Sequence, residues 1–261
     1  MPTEQLYITL IQPNIVWENK DANLAHYEQL IAAITGNKQV VVLPEMFSTG
    51  FSMAPEKLAE TMDGNTMKWM ADMAIRYRCI LTGSLIIEED NKYYNRMLWV
   101  QPNGHIGYYD KKHLFAFAGE DKHYSPGQTR YIVQVNGWRI HLQICYDLRF
   151  PVWARNQNEE YDVLLYVANW PQQRSLAWKT LLQARAIENM CYVVGVNRVG
   201  NDANGNKYSG DSSVFGPQGE IMLQISEQEF CQTIELRKAI LEKARTGLPF
   251  LKDADKFIIV P

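Results

Sequence analysis

One cysteine of the chain lies where a catalytic nucleophile is expected. Cys145 follows a segment from Trp138 to Ile144 that alternates apolar and polar residues as a half-buried strand does, and a polar turn follows it. A tight turn at this junction would lift the thiol out of the sheet. It would also point the backbone N–H of Tyr146 toward the group that the sulfur attacks. The position predicts a nucleophile, with a buried packing cysteine as the alternative.

Two charged residues at other strand ends could act on such a thiol. Glu45 comes after the apolar strand pattern of residues 40–43, and ligands collect at the carboxyl ends of buried strands in α/β folds. Lys111 comes after a strand pattern that ends near Tyr109, in an aromatic and apolar neighbourhood. A desolvated lysine beside a glutamate would be a fixed cation that stabilises a thiolate and an oxyanion. The alternatives are a solvated loop glutamate and a solvated lysine.

Histidine is the usual base for a catalytic cysteine, but the histidine nearest in sequence cannot serve. His141 lies on the same strand pattern as Cys145, and at ~3.3 Å per residue the two are roughly 13 Å apart. A local Cys-His pair is therefore excluded. His113 and His123 could reach the thiol only through tertiary contacts, so we favour a Cys-Glu-Lys site.

Composition restricts the class of protein. The 261 residues are 46% hydrophobic and 21% charged, which allows a large buried core, and we expect a single domain over residues 1–261. A net charge of −3 with scattered basic residues argues against nucleic acid or a membrane surface as a partner. Without a signal-peptide pattern or a membrane-spanning apolar run, a cytoplasmic protein is expected. Four cysteines without a CxxC pair predict neither a disulfide framework nor a structural zinc site.

The order of elements predicts an α/β fold. Strands and helices alternate at first, hairpins with turns at 102–104 and 136–137 follow, and helix and buried strand then return. Buried parallel-type strands mixed with hairpins and flanked by helices predict a four-layer αββα sandwich, with two mixed sheets packed face to face and helices outside. Segments 39–47 and 162–170 also echo each other, since each is an apolar strand that ends in a polar residue.

The individual segments follow from periodicity and turn residues. The predicted strands are Leu6–Gln12, Val40–Leu43, Cys79–Ile87, Tyr93–Val100, His105–Tyr109, Tyr131–Val135, Trp138–Ile144, Val163–Ala168 and Tyr192–Val196. The predicted helices are Asp21–Thr35, a helix capped by Asn65 that runs to Tyr77, and Leu176–Asn189. A last hairpin is predicted around residues 216–219.

Three blocks of the sequence, in this order, resemble the catalytic blocks of the nitrilase superfamily of carbon–nitrogen hydrolases. They are Pro44–Glu45, Lys111–Phe115 and Ile144–Pro151. The resemblance extends along essentially the whole chain, including residues 182–189 and 210–219. It implies an αββα sandwich, a Glu-Lys-Cys triad and commonly a homodimer or higher homo-oligomer. No metal or organic cofactor is required for this chemistry.

The resemblance also implies a role for each residue. Cys145 is the nucleophile, Glu45 is the general base, and Lys111, two positions before the histidine, is the cation. Glu120 is similar to a second glutamate of many members and would orient Lys111 or the substrate nitrogen. The oxyanion would be held by Lys111 and the N–H of Tyr146.

Residues 167–174 and the helix after them look most like the ω-amidase branch, which acts on small mono-amides such as 2-oxoglutaramate and 2-oxosuccinamate. Arg174 could bind the distal carboxylate of such a substrate, with a surface arginine as the alternative. Trp170 and Phe117 could wall the pocket. Arg149 is interpreted as structural, paired with Asp147.

Three other functions stay open at this point. Two are reactions of the same superfamily, namely N-carbamoyl amine hydrolysis and nitrile hydrolysis, and pocket geometry decides among them. The third is a non-catalytic scaffold on the same fold. Loss of a triad residue would indicate a scaffold, and Glu45, Lys111 and Cys145 are all present.

Overall fold

The computed structural model describes residues 3–259, in which strands and α-helices are interleaved along the chain. The strands are β1 (Gln5–Gln12), β2 (Val40–Val42), β3 (Ile80–Glu89), β4 (Lys92–Val100), β5 (Ile106–Asp110), β6 (Ile132–Val135), β7 (Trp138–Ile144), β8 (Val163–Val167), β9 (Tyr192–Val196), β10 (Val199–Asn201), β11 (Lys207–Phe215), β12 (Ile221–Ser226) and β13 (Phe230–Arg237). The α-helices are α1 (Lys20–Ala32), α2 (Pro55–Leu58), α3 (Asn65–Tyr77), α4 (Glu120–His123), α5 (Pro151–Ala154), α6 (Ser175–Asn189) and α7 (Lys238–Gly247). Short 3₁₀ turns are formed by Ala116–Ala118, Cys145–Arg149, Gln172–Arg174 and Phe250–Asp253.

The strands form two mixed sheets. The first has the order β13-β1-β2-β3-β4-β5, and the second has the order β10-β11-β9-β8-β7-β6 with β12 paired to β11. In each sheet three neighbouring strands are parallel, β1-β2-β3 in the first and β7-β8-β9 in the second. The flanking pairs are antiparallel. The two sheets therefore repeat one plan.

Apolar side chains divide the molecule into layers. One core cluster joins inward-facing residues of both sheets, such as Leu10 and Val42 with Leu142 and Val194. A second cluster packs α1 and α3 on the outer face of the first sheet, and a third packs α6 on the outer face of the second. The predicted four-layer αββα sandwich is therefore confirmed.

The predicted elements all occur, with ends that move by a few residues. The predicted cap of α3 is wrong: Gly64 is the N-cap and Asn65 already lies in the helix. The Glu60 carboxylate accepts the Thr66 N–H at 2.8 Å, so a distant side chain satisfies the helix start instead of a local one. The elements β10, β13 and α7, and the short helices α2 and α4, were not predicted. β13 pairs with β1 along the edge of the first sheet, a contact that local pattern does not show.

The parallel strands determine where a site can form. β2 in the first sheet, and β7 and β8 in the second, end at Val42, Ile144 and Val167. The polar residues that follow these ends are brought together where the two sheets meet, as expected for ligand sites at carboxyl ends of strands. Across residues 3–259, every helix is too short or too polar to span a membrane.

Candidate active site

Cys145 lies at a sharp turn between β7 and the following 3₁₀ turn. Its φ of 44° is in the left-handed region, which few residues other than glycine adopt. The Asp147 carboxylate holds this turn by accepting hydrogen bonds from the Ile144 N–H at 3.0 Å and the Tyr109 hydroxyl at 2.8 Å. It also accepts the His113 N–H at 3.0 Å. The partly buried thiol is thereby lifted out of the sheet, as the sequence predicted.

Glu45 is fully buried and each of its carboxylate oxygens has a hydrogen-bond donor. Oε1 accepts from Asn95 Nδ2 at 2.8 Å and from Lys111 Nζ at 2.9 Å. Oε2 accepts from the backbone N–H of Asn169 at 2.8 Å. The carboxylate is therefore fixed from three sides, by β4, by the end of β5 and by the end of β8.

A glycine lets the loop that carries Glu45 lie flat against the sheet. A Cβ at Gly83 in β3 would lie 2.8 Å from Leu43 Cβ and 2.9 Å from Phe47 Cδ1. Both distances are shorter than side chains tolerate, so any larger residue would push the loop outward. Gly83 thus sets the depth of Glu45 in the site.

Lys111 is buried between two carboxylates. Its Nζ lies 2.9 Å from Glu45 Oε1 and 3.0 and 2.9 Å from the two oxygens of Glu120. Burial alone would lower the pKa of Lys111, but the negative charges of Glu120 and Glu45 raise it well above its ordinary value. Lys111 is therefore a permanent cation. The Phe115 N–H, donating to Glu120 Oε2 at 2.6 Å, ties the next loop to the same group.

The charges around Cys145 act in opposite directions on its thiol. Burial raises the pKa of Cys145 well above its ordinary value. The negative charge of Glu45 raises it further, and the positive charge of Lys111 lowers it. At rest the sulfur is therefore a neutral thiol beside a carboxylate that can accept its proton.

The thiol opens into a cavity of about 150 Å³. This volume is well below the roughly 300–1,000 Å³ of sites for drug-sized ligands, so the site fits a small molecule. Polar residues at the cavity include Lys111, Cys145, Asn169 and Asn206. Aromatic side chains form much of the remaining wall: Phe51, Phe115, Phe117, Tyr146, Trp170 and Tyr208.

Two arginines also line this cavity. The Arg174 guanidinium lies 5.2 Å from the Phe115 ring centre, and the Arg149 guanidinium lies 5.1 Å from that of Trp170. Within residues 3–259, neither has a carboxylate within 4.0 Å. Both cations can therefore bind an anionic group of a ligand.

The predicted pairing of Arg149 with Asp147 is wrong. The Asp147 carboxylate is occupied by Ile144, Tyr109 and His113, and Arg149 turns toward the cavity instead. The two residues are two positions apart in a 3₁₀ helix of about 3 residues per turn, so their side chains point in different directions.

The remaining predicted site residues all border the cavity or the buried cluster. Trp170 is 4% exposed and forms a firm wall, whereas Phe117 is 89% exposed and lies at the mouth. Tyr146 directly follows Cys145 at the start of the 3₁₀ turn, where the first N–H groups have no partner within the helix. Glu120 lies behind Lys111 and is fully buried.

The histidines take other places. His113 stacks on Phe150 with ring centres 3.8 Å apart and contacts Asp147, and His123 is exposed on α4. His141 is buried, 5.2 Å from the Tyr161 ring. These positions agree with a cysteine site that does not use histidine.

Sequence reasoning missed Asn95 and Asn169. Asn169 had a signal, because it ends the segment that echoes the one ending in Glu45, and the two strand ends do meet. Asn95 is a polar residue in the middle of β4, with little to distinguish it from a solvent-facing strand residue. Only its burial reveals it.

Residues 3–259 contain no group of three or more His, Cys, Asp or Glu side chains placed to hold a metal ion. The groups that line the cavity or lie behind it include a thiol, two carboxylates and an ammonium group.

Comparison with known proteins gives concordant relatives. A family model described as carbon-nitrogen hydrolase matches residues 7–240. The chain is 46% identical over 253 residues to the omega-amidase YafV of Escherichia coli, covering 97% of this chain and 98% of that protein. It is 30% identical to the 2-oxoglutaramate amidase of Bacillus subtilis, over 95% and 97% of the two chains.

A solved structure is similar over the whole fold. The crystal structure of a CN-hydrolase superfamily protein from Xanthomonas campestris, with an arsenic adduct in its active site, superposes with a TM-score of 0.96 at 42% identity. The match covers 99% of this chain and 100% of that one.

Proposed function

The chain belongs to the carbon–nitrogen hydrolase family, and we propose that it is a thiol amidase that hydrolyses the amide of a small ω-amido acid to carboxylate and ammonia. The observation that carries the proposal is the buried Lys111 ammonium between two carboxylates, in a cavity whose wall also holds the Cys145 thiol. The relatives named as omega-amidase and 2-oxoglutaramate amidase support the predicted amidase function.

The first half of the reaction forms a thioester. Glu45 accepts the thiol proton while the sulfur of Cys145 attacks the amide carbon. The carbonyl oxygen becomes an oxyanion, held by Lys111 and the N–H of Tyr146. Glu45 then gives the proton to the amide nitrogen, the C–N bond breaks and ammonia leaves.

The second half hydrolyses the thioester. Water gives a proton to Glu45 as its oxygen attacks the acyl carbon, and the same two donors hold the second oxyanion. The C–S bond breaks, the proton returns to the sulfur, and the carboxylic acid leaves. General acid–base catalysis contributes typically ~10²–10⁴-fold and one oxyanion donor ~10²–10³-fold, so several groups must share the acceleration.

The cavity favours an amide that also carries a carboxylate. Arg174 and Arg149 lie on its wall, and a guanidinium can bind a carboxylate through two hydrogen bonds. The small volume limits the substrate to a short chain. Mono-amides of short dicarboxylic acids, of the 2-oxoglutaramate and 2-oxosuccinamate type, have this shape and charge.

Ammonia release from a panel of compounds tests the proposal. The panel contains 2-oxoglutaramate, 2-oxosuccinamate, an N-carbamoyl amine and a nitrile, each measured with the wild type and with Cys145→Ala. We expect the highest kcat/KM for the two ω-amides, and a loss of about 10⁴–10⁶-fold in kcat for Cys145→Ala.

The same panel separates the alternatives. A preference for the carbamoyl amine or the nitrile would replace the ω-amide substrate with another reaction of the family. If the folded wild type releases ammonia from none of the compounds, the thiol amidase itself is contradicted and a scaffold role gains support.

We propose a homodimer or higher homo-oligomer in the cytoplasm. For the oligomer, the support is a set of exposed apolar side chains on α5, α6 and β12, where Val152, Ile187 and Ile221 are 56%, 51% and 60% exposed.

A further inference from the structure

Asn95 is at the centre of the buried polar cluster, although it belongs to the middle of a strand. Its side chain is fully buried, and Nδ2 lies 2.8 Å from Glu45 Oε1 and 3.3 Å from Glu120 Oε1. Its backbone oxygen accepts the Lys111 N–H at 3.0 Å. One residue of β4 thus contacts both carboxylates and the lysine.

The side chain of Asn95 makes these contacts at a cost. Within residues 3–259, its Oδ1 is buried without a hydrogen-bond partner. A buried polar atom without a hydrogen-bond partner lowers the stability of the fold, so this orientation of the Asn95 amide costs free energy. Both amide hydrogens point toward the carboxylates, and the unpaired oxygen is the consequence of that orientation.

All three N–H donors of Lys111 face carboxylate oxygens in the resting site, so these carboxylates need a second donor if Lys111 is to bind an oxyanion. An ammonium group has three N–H donors, and the resting site offers it three carboxylate oxygens, one on Glu45 and two on Glu120. An oxyanion would require one of these donors. Glu45 Oε1 and Glu120 Oε1 are the two oxygens that Asn95 also reaches, so either keeps a donor if Lys111 turns away.

We propose that Asn95 is a positioning residue of the amidase reaction, which fixes Glu45 and Glu120 so that Lys111 can turn one N–H to the oxyanion. This inference rests on the proposed function. Asn95 does not touch the substrate in this scheme and acts through Glu45 and Lys111. A neutral donor is required at this position, because a third carboxylate would add a like charge to the cluster and an apolar residue would add nothing.

The groups that titrate around Asn95 are few. Glu45, Glu120, Lys111 and Cys145 face it directly or through one another. Tyr124 and Tyr208 are phenols on which the charges of this cluster act, and burial raises the pKa of each well above its ordinary value, so both stay neutral over the working range. A change in pH profile can therefore be assigned to the carboxylates, the lysine and the thiol.

The first test removes the donor and keeps the branching of the side chain. Asn95→Leu should lower kcat about 10–100-fold, the usual effect of losing a group that orients a catalytic residue, and leave KM within about threefold. The matched control is Asn156→Leu, because Asn156 is equally buried but binds Asn189 and Tyr161, outside the site. The control should lose stability in urea without losing kcat per folded molecule.

The second test keeps the shape and changes the charge. Asn95→Asp should move the acid limb of the kcat/KM profile to higher pH, since an additional carboxyl raises the pKa of its neighbours. Asn95→Leu should also move this limb to higher pH, because it removes a hydrogen bond that favours the charged form of the neighbouring carboxylates. If Asn95 only fills space, Asn95→Leu leaves the pH profile unchanged. If both folded variants keep the wild-type kcat and pH profile, the positioning role is overturned.

An independent measurement separates this inference from the proposed function. The rate of Cys145 alkylation by iodoacetamide, followed by peptide mass spectrometry, does not depend on knowing the substrate. Asn95→Asp should shift this alkylation profile to higher pH, because an added negative charge disfavours the thiolate. If the wild type releases no ammonia but the shift occurs, the substrate is wrong and the coupling of Asn95 to the cluster stands. If the wild type releases ammonia but the shift does not occur, the inference about Asn95 fails and the proposed function stands.

Discussion

The charge balance of the buried cluster determines the resting state of the nucleophile. Lys111 contributes one positive charge and faces two carboxylates, Glu45 and Glu120. Burial raises the pKa of Glu120, Lys111 lowers it and Glu45 raises it, with a net increase. The surroundings thus disfavour another negative charge, and they raise the pKa of the Cys145 thiol. In the proposed mechanism the thiol therefore keeps its proton until the attack begins, and Glu45 acts as the base during the attack.

A measurement of thiol reactivity checks this resting state. Because the pKa of Cys145 is raised, alkylation by iodoacetamide should increase with pH through a midpoint above pH 9. Glu45→Gln should lower the midpoint, since it removes a negative charge, and Lys111→Met should raise it. Labelling must be read on the Cys145 peptide, because Cys231 is also partly buried and can react. A wild-type midpoint at or below neutral pH would contradict the neutral thiol.

The two arginines of the cavity should determine the preference for charged amides. Arg174→Ala or Arg149→Ala should raise KM for a carboxylate-bearing amide by about 10–100-fold, which corresponds to a lost charge-assisted hydrogen bond of about 1.5–3 kcal/mol. A neutral amide of the same length should keep its KM. Arg76→Ala, on the outer helix α3, is the control and should change neither value. Equal effects on charged and neutral amides would remove that arginine from substrate binding.

The turn at Cys145 exposes the sulfur and also positions a backbone N–H group beside it. The left-handed φ of Cys145 ends β7 abruptly and places the N–H of Tyr146 next to the nucleophile. The Asp147 carboxylate keeps this geometry with bonds to the strand end and to β5. The proposed nucleophile and the proposed oxyanion donor are therefore fixed by one local structure.

The strain of this turn can be measured. A left-handed conformation costs a residue with a side chain about 1–2 kcal/mol, and glycine loses about 0.4–1 kcal/mol through its freer unfolded state. Cys145→Gly should therefore unfold at higher urea concentration than Cys145→Ala, by about 0.5–1 kcal/mol. Ala25→Gly in the exposed face of α1 is the reference and should destabilise by about 1 kcal/mol. A glycine variant less stable than the alanine variant would show that the turn is unstrained.

One buried carboxylate connects the second sheet to the C-terminal helix α7 through ion pairs. Asp162, just before β8, is 1% exposed and contacts three cations. Arg139 Nη2 lies 2.8 Å away at the start of β7, and Lys238 Nζ and Arg245 Nη1 of α7 lie 2.7 and 3.2 Å away. Because α7 directly follows β13 of the first sheet, this cluster links both halves of the sandwich.

Removal of this charge should destabilise the protein strongly. Asp162→Asn leaves three cations without their carboxylate, and breaking a buried ion pair costs about 3–5 kcal/mol, measured by urea denaturation at pH 7. Asp72→Asn on α3, at an exposed position, is the control and should have no measurable effect. A loss no larger than that of the control would show that the cluster does not contribute to stability.

The effect of Asp162 should also depend on pH. Burial opposes its ionisation, but hydrogen bonds from Arg139 and Lys238 lower the pKa of Asp162 below its ordinary value. A carboxyl with a lowered folded pKa stabilises the fold above its unfolded pKa of about 3.9, and this stability is lost as pH falls through the folded value. Wild type and Asp162→Asn should therefore differ by a constant amount from pH 5 to 8 and converge in stronger acid.

Much of the fold was readable from local pattern. Period-two alternation predicted β7, continuous apolar runs predicted β2 and β8, and Asn136–Gly137 predicted the turn between β6 and β7. Strand β13 was not predicted, because it is half-exposed and its partner, β1, is more than 200 residues away in sequence. Helix α7, which directly follows it, was not predicted either. The turn at Cys145 could be predicted from the same kind of pattern as the strands, because the alternation of apolar and polar residues stops there.

Sequence by itself determined the chemical groups and their local settings: a thiol at the end of one strand, and a carboxylate and an ammonium at the ends of two others. Only the tertiary structure decided which groups meet. It placed Asn95 between two carboxylates, Asn169 against Glu45, and Arg149 in the cavity and not on Asp147. The physical reason is that strand and helix periods fix the face on which a side chain lies, whereas contacts between sheets depend on register and packing across the whole chain.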